Sequence, residues 1–276
     1  MVTLEIEDGD PWYMSPNVWA VPGDDPEGPI GTPVAGRTAY LWARVRNNGT
    51  DAATNATVRY YWANPSVGFD RNSATLVGAS FVTLGSGQSA DVLCLTPWTP
   101  SFVNGGHECI LAEAFHSSDP LPSTPAFDVP TDRHVAQRNL SVLNTPPGAG
   151  AFHLPFEVHN AMRSAETFSV TARVAALHEL GRVVPLLGKN AKLPHQRANV
   201  KGLGFVRTPC PTPSDYHDAT DRVDRLRLEP RGRTGLTLVG TLDEGVSLIH
   251  VTQERDGRVV GGLAVLVVNG KREEGR

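Results

Sequence analysis

Short runs of alternating residues, each closed by turn-forming residues, constrain the fold of this chain more than any other feature. In residues 38–46, TAYLWARVR, small or aliphatic residues alternate with Tyr40, Trp42 and two arginines. A period of two residues is that of a β-strand with one buried face. The run ends at the NNGT sequence of residues 47–50, and Asn and Gly tolerate the positive φ angles of tight turns. The pattern predicts strands joined by turns.

Similar runs recur along the chain in two groups. The first group comprises residues 38–46, 56–63, 75–84, 90–96, 108–115 and 135–143, and the second comprises residues 151–159, 168–177, 236–242, 246–254 and 259–269. Gly and Pro account for 27 and 22 of the 276 residues, which favours many turns and few long helices. The predicted fold class is all-β, with two antiparallel β-sandwich domains in tandem.

A break rich in Pro and Gly, TPPGAG at residues 145–150, separates the two groups, as in interdomain linkers. We therefore expect one domain over residues 1–145 and a second over residues 146–276. In the second domain the alternation fails over about residues 178–235, a long basic stretch. A structureless loop of that length is unusual in a compact domain. We interpret it as a long functional insertion, with short strands or one helical turn around residues 218–226.

The two halves carry charge of opposite sign. Residues 1–145 hold 7 basic and 15 acidic residues, and residues 146–276 hold 18 and 14, so the net charges are −8 and +4. Opposite poles favour head-to-tail contacts between copies or docking to a charged partner. Two differently solvated surfaces would give the same pattern. The basic residues predicted to make such contacts are Lys189, Lys192, Arg197, Lys201 and Arg207, with Asp24, Asp25 and Glu27 as their acidic counterparts.

Five motifs of the first domain occur in a familiar order. They are SPNVW, LWARVRNNGTDAATNATVRYYWANPS, LGSGQSADVLCLTPWTP, GHECILAEAFHSSDP and HVAQRNLSV. This set covers most of residues 12–143 and resembles bacterial immunoglobulin-like domains of the cell-adhesion-related (CARDB-like) type. Those domains carry a strand pair V-R-V-R-N-x-G … A-x-N-V-x-V and often end near N-V-A-Q-R-N. His134 stands where such sequences usually have Asn.

The C-terminal part of the second domain shows a related likeness. LTLVGTLDEGVSLIHVTQERDGRVVGGLAVLVV resembles the closing strands of a second immunoglobulin-like sandwich, and its Asp-Gly pair predicts a hairpin turn. The two resemblances imply the fold and a role in adhesion or assembly. They carry no catalytic residues over to this chain.

Aromatic side chains form a further set of candidate binding residues. Exposed Trp and Tyr stack on sugar rings or anchor protein interfaces. The candidates are Trp12, Tyr13, Trp19 and Trp98. The alternative is that Trp42 and Trp62 belong to the core and that Trp12 covers the open end of the sandwich.

Metal and thiol chemistry leaves few candidates. No histidine lies in an H-E-x-x-H motif, and the acidic residues with oxygen ligands to offer calcium do not match an EF-hand spacing. Three cysteines are too few for a disulfide scaffold. Cys94 and Cys109 lie in apolar runs that could be neighbours, either as a disulfide or as buried thiols, and Cys210 is expected to be exposed. The calcium candidates are Asp8, Asp10, Asp24 and Asp25.

Two common catalytic and nucleotide-binding motifs do not occur in the sequence. It contains neither G-x-S-x-G nor a P-loop, and no cofactor is predicted. We interpret the chain as a non-enzymatic structural or interaction protein that contacts itself or other proteins in a larger assembly, at a bacterial surface or in a phage-like particle. The alternatives are a carbohydrate-binding module that takes polysaccharide and an enzyme with a metal site assembled in space.

Three further expectations concern partners and location. Nucleic acid is not an expected partner, because the charges of residues 189–233 are mixed and the chain as a whole is acidic. No apolar run reaches the roughly 18 residues of a membrane-spanning helix. The N-terminal residues lack the apolar segment of a signal peptide, which favours cytoplasmic synthesis, followed by incorporation into a particle or non-classical export.

Overall fold

The computed structural model describes residues 1–101, 109–124, 126–145, 150–188, 193–194 and 196–270. The all-β prediction is confirmed, since the described residues form antiparallel sheets with little helix. None of the helices in these ranges is long and apolar enough to span a bilayer. The described residues fall into two compact units.

The first unit comprises Met1–Asn64, Phe69–Asn139 and the described residues of Pro185–Asn190. Strand β3 pairs with β1, β2 and β6 in one sheet, and a second sheet has the order β5-β4-β7-β8, with every pair antiparallel. The strands are β1 (Leu4–Glu5), β2 (Val18–Pro22), β3 (Ala39–Asn47), β4 (Ala53–Ala63), β5 (Thr75–Leu84), β6 (Ser89–Leu93), β7 (Cys109–Phe115) and β8 (Val135–Arg138).

Residues from both sheets build the main core of the first unit. On β3 the predicted alternation is confirmed, because Leu41 and Val45 are fully buried while Arg44 between them is exposed. Val58 and Tyr60 of β4 join the same core. The Tyr60 hydroxyl donates to the carbonyl oxygen of Val92 on β6 at 2.6 Å. Each buried aliphatic side chain stabilises the fold by about 1.5–3 kcal/mol.

A smaller apolar cluster covers the other face of β4 and β7. Phe69 and Phe127, from two separate loops, pack there with Tyr61 and Leu111. The rings of Tyr61 and Phe127 meet edge to face, with centroids 5.2 Å apart. The two loops therefore form a lid over the outer face of this sheet.

The second unit comprises Pro65–Gly68, Leu140–Val184 and the described residues of Ala191–Arg276. One sheet has the order β10-β14-β12, and the other has the order β13-β11-β15-β16-β9. All pairs are antiparallel except β16 with β9, which run parallel. The elements are β9 (Leu140–Asn144), β10 (Ala151–His159), β11 (Glu166–Val174), helix α1 (Leu177–Val183), β12 (Val200–Val206), β13 (Arg222–Leu228), β14 (Arg233–Leu242), β15 (Gly245–Arg255) and β16 (Arg258–Asn269), with 3-10 turns at Val184–Leu187 and Pro213–Asp218.

The core of the second unit includes Val67, a residue distant in sequence from the rest of it. Val67 is fully buried there. A Cβ atom at Gly261 would lie 1.1 Å from the Val67 carbonyl oxygen, so only glycine lets β16 pass this close. The β15–β16 hairpin turns at Asp256 and Gly257, both with positive φ, which confirms the predicted Asp-Gly turn.

The region predicted as a long loop insertion, residues 178–235, consists mostly of regular structure where it is described. Short strands are expected in this region, and its described part contains two, β12 and β13. Each lies at the edge of one of the two sheets of the second unit. Of the two alternatives around residues 218–226, short strands or one helical turn, the structure has a strand, because β13 begins at Arg222. On β13, Leu226 and Leu228 are buried while Arg225 and Arg227 are exposed, and the many charges concealed this period of two in the sequence.

The run at residues 135–143 is also divided differently from the prediction. It breaks at Asn139 into β8, which pairs with β7, and β9, which pairs with β16. Cys94 and Cys109 are free, buried thiols, and Cys210 is an exposed free thiol. Burial raises the pKa of both buried thiols, so they act as core residues rather than nucleophiles.

Independent folding of residues 1–145 stays a prediction. Expressed alone, this fragment should unfold in one cooperative thermal transition, because β1 to β8 and their main core lie within it. Since β9 pairs with β16 in the intact chain, amides of residues 140–144 should exchange rapidly with solvent in the fragment. A fragment of residues 1–139 is the matched control and should melt at a similar temperature. An unfolded 1–145 fragment from a folded intact chain would move the boundary.

Candidate interaction surfaces

Three of the four aromatic binding candidates are buried. Tyr13, Trp19 and Trp98 are 2%, 9% and 5% exposed. Trp19 stacks on Trp42 of the paired strand, with centroids 6.1 Å apart and 4° between the rings. With so little exposed surface, none of the three offers a ring face to a sugar or a protein partner. The prediction that they are binding residues is therefore corrected, and they are structural residues. Trp12 keeps partial exposure and stays a candidate.

The acidic calcium candidates are not gathered into a site. In the ranges that the structure describes, no three His, Cys, Asp or Glu side chains come together as a metal ion requires. Burial, with a smaller contribution from the charge of Glu5, raises the pKa of Asp8 to about 7. A carboxyl group that stays protonated up to such a pH is a weak calcium ligand, because calcium binds the carboxylate form. Asp10, Asp24 and Asp25 are exposed.

The three described basic candidates lie in different settings of the second unit. The Arg197 guanidinium donates to the carbonyl oxygen of Ala175 at 2.7 Å. Lys201 Nζ lies 2.8 Å from Oδ1 of Asp243, so its charge is already matched within the unit. Arg207 is exposed. Arg197, Lys201 and Arg207 are therefore not equally available to a partner.

Lys189 and Lys192 lie outside the described residues. The expected acidic counterparts Asp24, Asp25 and Glu27 are exposed. Exposed ion pairs contribute less than about 1 kcal/mol each, so an association through these charges also requires an apolar contribution. Such an association stays a prediction.

A carboxylate is fully buried on the outer face of β7, beneath the two loops. Glu113 is 0% exposed, and its Oε1 accepts a hydrogen bond from the Tyr61 hydroxyl at 2.6 Å. Arg71 Nε donates to Oε2 at 2.7 Å, and Arg59 Nη1 lies 3.4 Å from Oε1. Arg71 also donates to the carbonyl oxygen of Thr124 at 2.8 Å. The cluster therefore anchors both loops to β7.

A second charged cluster surrounds His134. Its Nδ1 lies 2.6 Å from Oδ1 of Asp132, and its Nε2 lies 3.3 Å from Oδ1 of Asp119, an ion-pair distance without hydrogen-bond geometry. Asp119 also pairs with Arg133, and its Oδ2 accepts the backbone N–H of Leu4 at 2.7 Å. Burial alone would lower the pKa of His134, but the hydrogen bond to Asp132 and the charges of both carboxylates outweigh it and raise that pKa.

The His134 cluster makes stability depend on pH. Because its pKa is raised in the folded state, the protonated side chain stabilises the fold fully below about pH 6.5, and this contribution is lost as pH rises through the folded pKa. His134→Gln removes this titration. The difference in unfolding free energy between wild type and variant, from urea denaturation, should therefore shrink as the pH rises above about 6.5.

His250 provides the matched control for this prediction. Burial, followed by the charge of Arg173, lowers the pKa of His250 to about 4, so its contribution has the opposite sign and stability rises with pH between about 4 and 6.5. The His250→Gln variant should therefore show the same dependence of stability on pH above 6.5 as wild type does. The prediction would be contradicted if the difference in unfolding free energy between wild type and His134→Gln stayed constant above pH 6.5.

Strand β5 forms a long free edge of the first unit. It pairs with β4 on one side, and no backbone hydrogen bond among the described residues reaches its other side. Its ten residues, TLVGASFVTL, include neither a charged residue nor a proline. Leu76 and Phe81 are 53% and 64% exposed, and Leu95, shortly after β6, is 74% exposed. We call the free side of β5 with Leu76, Phe81 and Leu95 the β5 edge.

Two hydrogen bonds place Leu95 beside this edge. The Ser80 hydroxyl donates to the carbonyl oxygen of Leu93 at 2.5 Å, and the Leu95 N–H donates to the Ser80 oxygen at 3.4 Å. The β5 edge is not among the binding candidates predicted from the sequence. The available signal was a ten-residue strand run with apolar side chains on both faces and no charge.

Each of the other edge strands in the described ranges has a feature that hinders pairing with a further strand. β10 contains Pro155, β6 contains Asp91, and β12 contains Lys201. β13 contains three arginines. The remaining edge strands β1, β2, β8 and β9 are two to five residues long. Among these edges, β5 alone is long, uncharged and free of proline.

Comparison with known proteins assigns no family. No family model and no curated protein matches the chain. Among solved structures, the chain is similar to the CARDB domain of a Pyrococcus furiosus protein in complex with di-metal ions. The identity is 18% over 50% of this chain and 84% of that chain, with a TM-score of 0.28.

Two other solved structures show likenesses of the same order. A cross-linked bacterial adhesin from Mobiluncus mulieris matches at 8% identity over 92% of this chain and 97% of that chain, with a TM-score of 0.22. DesR, a β-glucosidase from Streptomyces venezuelae, matches at 18% identity over 44% of this chain and 14% of that chain, with a TM-score of 0.22. At these TM-scores the likenesses say nothing about what this chain binds.

Proposed function

We propose that this chain is a non-enzymatic interaction protein that binds a protein partner by strand addition at the β5 edge. The observation that carries the proposal is a ten-residue edge strand without charge or proline that carries two exposed apolar side chains, Leu76 and Phe81, and has a third, Leu95, beside it. Such a contact suits a component of a larger assembly or of an adhesive surface.

The chemistry of the edge selects an extended segment as the partner. Unpaired N–H and C=O groups on the free side of β5 match the main chain of an incoming strand, which supplies affinity without a particular sequence. Leu76, Phe81 and Leu95 offer apolar surface to alternate side chains of that strand. Burial of each large apolar side chain contributes up to about 1.5–3 kcal/mol.

The other functions considered have less support. Carbohydrate binding depended on four aromatic side chains, and three of them are buried. A metal-dependent enzyme needs several ligands together, and no such group occurs in the described ranges. Strand addition instead uses groups that are exposed and directed to solvent.

A selection with displayed decapeptides tests the proposal. Wild-type protein should select uncharged peptides rich in β-branched and aromatic residues, and N-methylation of alternate peptide amides should abolish binding, because main-chain hydrogen bonds carry the contact. Amides of residues 75–84 should exchange more slowly in the complex.

The variants Leu76→Lys and Phe81→Lys, combined in one chain, should lose the selected peptides. Both side chains are exposed, so the variant should fold, which thermal unfolding checks. Leu177→Lys, at a leucine that is 64% exposed on α1, is the matched control and should bind as wild type does. Equal binding by wild type and the double variant would overturn the proposal.

A further inference from the structure

We infer that the strand occupying the β5 edge is β5 of a second copy of this chain, paired antiparallel about a two-fold axis. This inference rests on the proposed function and names its partner. It follows from the composition of β5, from the other edges of the chain, and from the far edge of the same sheet.

The composition of β5 makes the strand complementary to itself. In a two-fold pair every side chain meets a symmetry-related copy of the same strand, so any charge on β5 would face a like charge nearby. β5 has no charged residue, and this cost is absent. A partner strand of high charge would instead lose solvation beside Leu76 and Phe81 without a counter-charge on β5.

A register centred on Ser80 is also sterically favourable. Side chains alternate over residues 79–84 of β5, and Ala79 and Phe81 are both exposed while Ser80 between them is buried. With Ser80 on the axis, Phe81 of one copy lies opposite Ala79 of the other, since directly opposed residues share a face of the sheet. A large side chain then faces a small one twice, and the two rings flank the axis.

No other described edge of the chain is a comparable partner for β5. The longer ones present proline, arginine, lysine or aspartate, and the others are at most five residues long. A strand that meets the requirements of the β5 edge is therefore supplied by every further copy of this chain, at the concentration of the protein itself.

The far edge of the same sheet limits the assembly to two copies. β8 is four residues long and entirely buried. The segment around Met14 covers its outer side with backbone hydrogen bonds. The Ser15 N–H donates to the carbonyl oxygen of Gln137 at 2.9 Å, and the Asn139 N–H donates to the carbonyl oxygen of Tyr13 at 3.0 Å. Pairing through β5 thus uses the accessible edge of each sheet, and a closed dimer forms instead of a fibre.

Sedimentation equilibrium of the full chain over a range of concentrations tests the inference. Wild type should form a dimer, and amides of residues 75–84 should exchange more slowly as the dimer fills. The Leu76→Lys and Phe81→Lys double variant should raise the dimer dissociation constant about 100-fold or more, because it places four like charges along the paired strands, two of them beside the axis. Leu177→Lys should dimerise as wild type does. Leu95→Lys, at the margin of the edge, should weaken the dimer less and guards against misfolding of the double variant.

Salt separates edge pairing from charge-driven association. Pairing through β5 should persist as salt rises beyond roughly 0.15 M, where the Debye length is about 8 Å, whereas contacts between the acidic and basic halves should weaken. A wild-type chain that stays monomeric overturns the inference, as does a dimer that survives the double lysine variant or leaves β5 unprotected. A monomer that still selects uncharged decapeptides on β5 would leave the proposed function standing, and a chain that does neither would overturn both.

Discussion

Replacing Glu113 by alanine should lower the free energy of unfolding by about 3–5 kcal/mol, the cost of breaking a buried ion pair by removing one partner. The carboxylate is fully buried against Arg71, and the Arg71 side chain is itself only 18% exposed. Without the carboxylate, the Tyr61 hydroxyl loses its hydrogen-bond acceptor and the Arg71 guanidinium loses its counter-charge, while the loops still cover both. Urea denaturation of wild type and variant measures the difference.

An ion pair on the surface of the same unit supplies the control. Arg44 and Asp91 approach to 2.6 Å, but their side chains are 56% and 39% exposed. Asp91→Ala should therefore cost less than about 1 kcal/mol. Combining Glu113→Leu with Arg71→Met should cost less than the sum of the two single changes, because no unpaired charge stays buried. Equal losses for Glu113→Ala and Asp91→Ala would mean that the buried cluster adds no stability.

Truncation of Trp62 or Trp42 to alanine should each cost about 3 kcal/mol, the lower end of the range for Trp in a core, since both side chains are half-buried. Trp62 packs against the main core of the first unit. Trp42 stacks on Trp19, and its Nε1–H donates to the carbonyl oxygen of Pro26 at 3.0 Å. Thermal and urea unfolding measure the losses.

The two tryptophans differ in how a smaller change should act. Trp42→Phe keeps a ring beside Trp19 and loses the bond to Pro26, so about 1 kcal/mol should be lost from the hydrogen bond in addition to the smaller ring. Trp62→Phe loses apolar contact alone. A change within about 0.5 kcal/mol for either alanine variant would mean that the residue is effectively exposed, and it would then join Trp12 as a candidate binding residue.

Features of single strands could be predicted from the sequence. The alternation on β3 is visible because one face of the strand is buried and the other is not. The turn at Asp256 and Gly257 is visible because its φ angles demand those residue types. On β13 the same alternation was missed, since arginines surround Leu226 and Leu228 and made the region resemble a solvated loop.

Features that depend on pairing between distant segments could not be predicted. Trp19 is buried because its neighbour across the register is Trp42, which neither sequence run reveals alone. The exposure of Phe81 depends on β5 lying at the end of its sheet, and strand order comes from contacts far apart in the chain. Glu113 reads as an ordinary charged residue until two loops cover it.

The parallel pairing of β9 with β16 determines how the second unit responds to a pulling force. β9 lies at the N-terminal side of the main segment of this unit and β16 at its C-terminal side, and their register joins residues 140–144 to residues 264–268. Tension applied to the two ends draws these strands past each other along their length, so their hydrogen bonds bear the load together in shear. A hairpin peeled from one end would lose its bonds one after another. The seam between β9 and β16 thus gives this unit mechanical strength under tension.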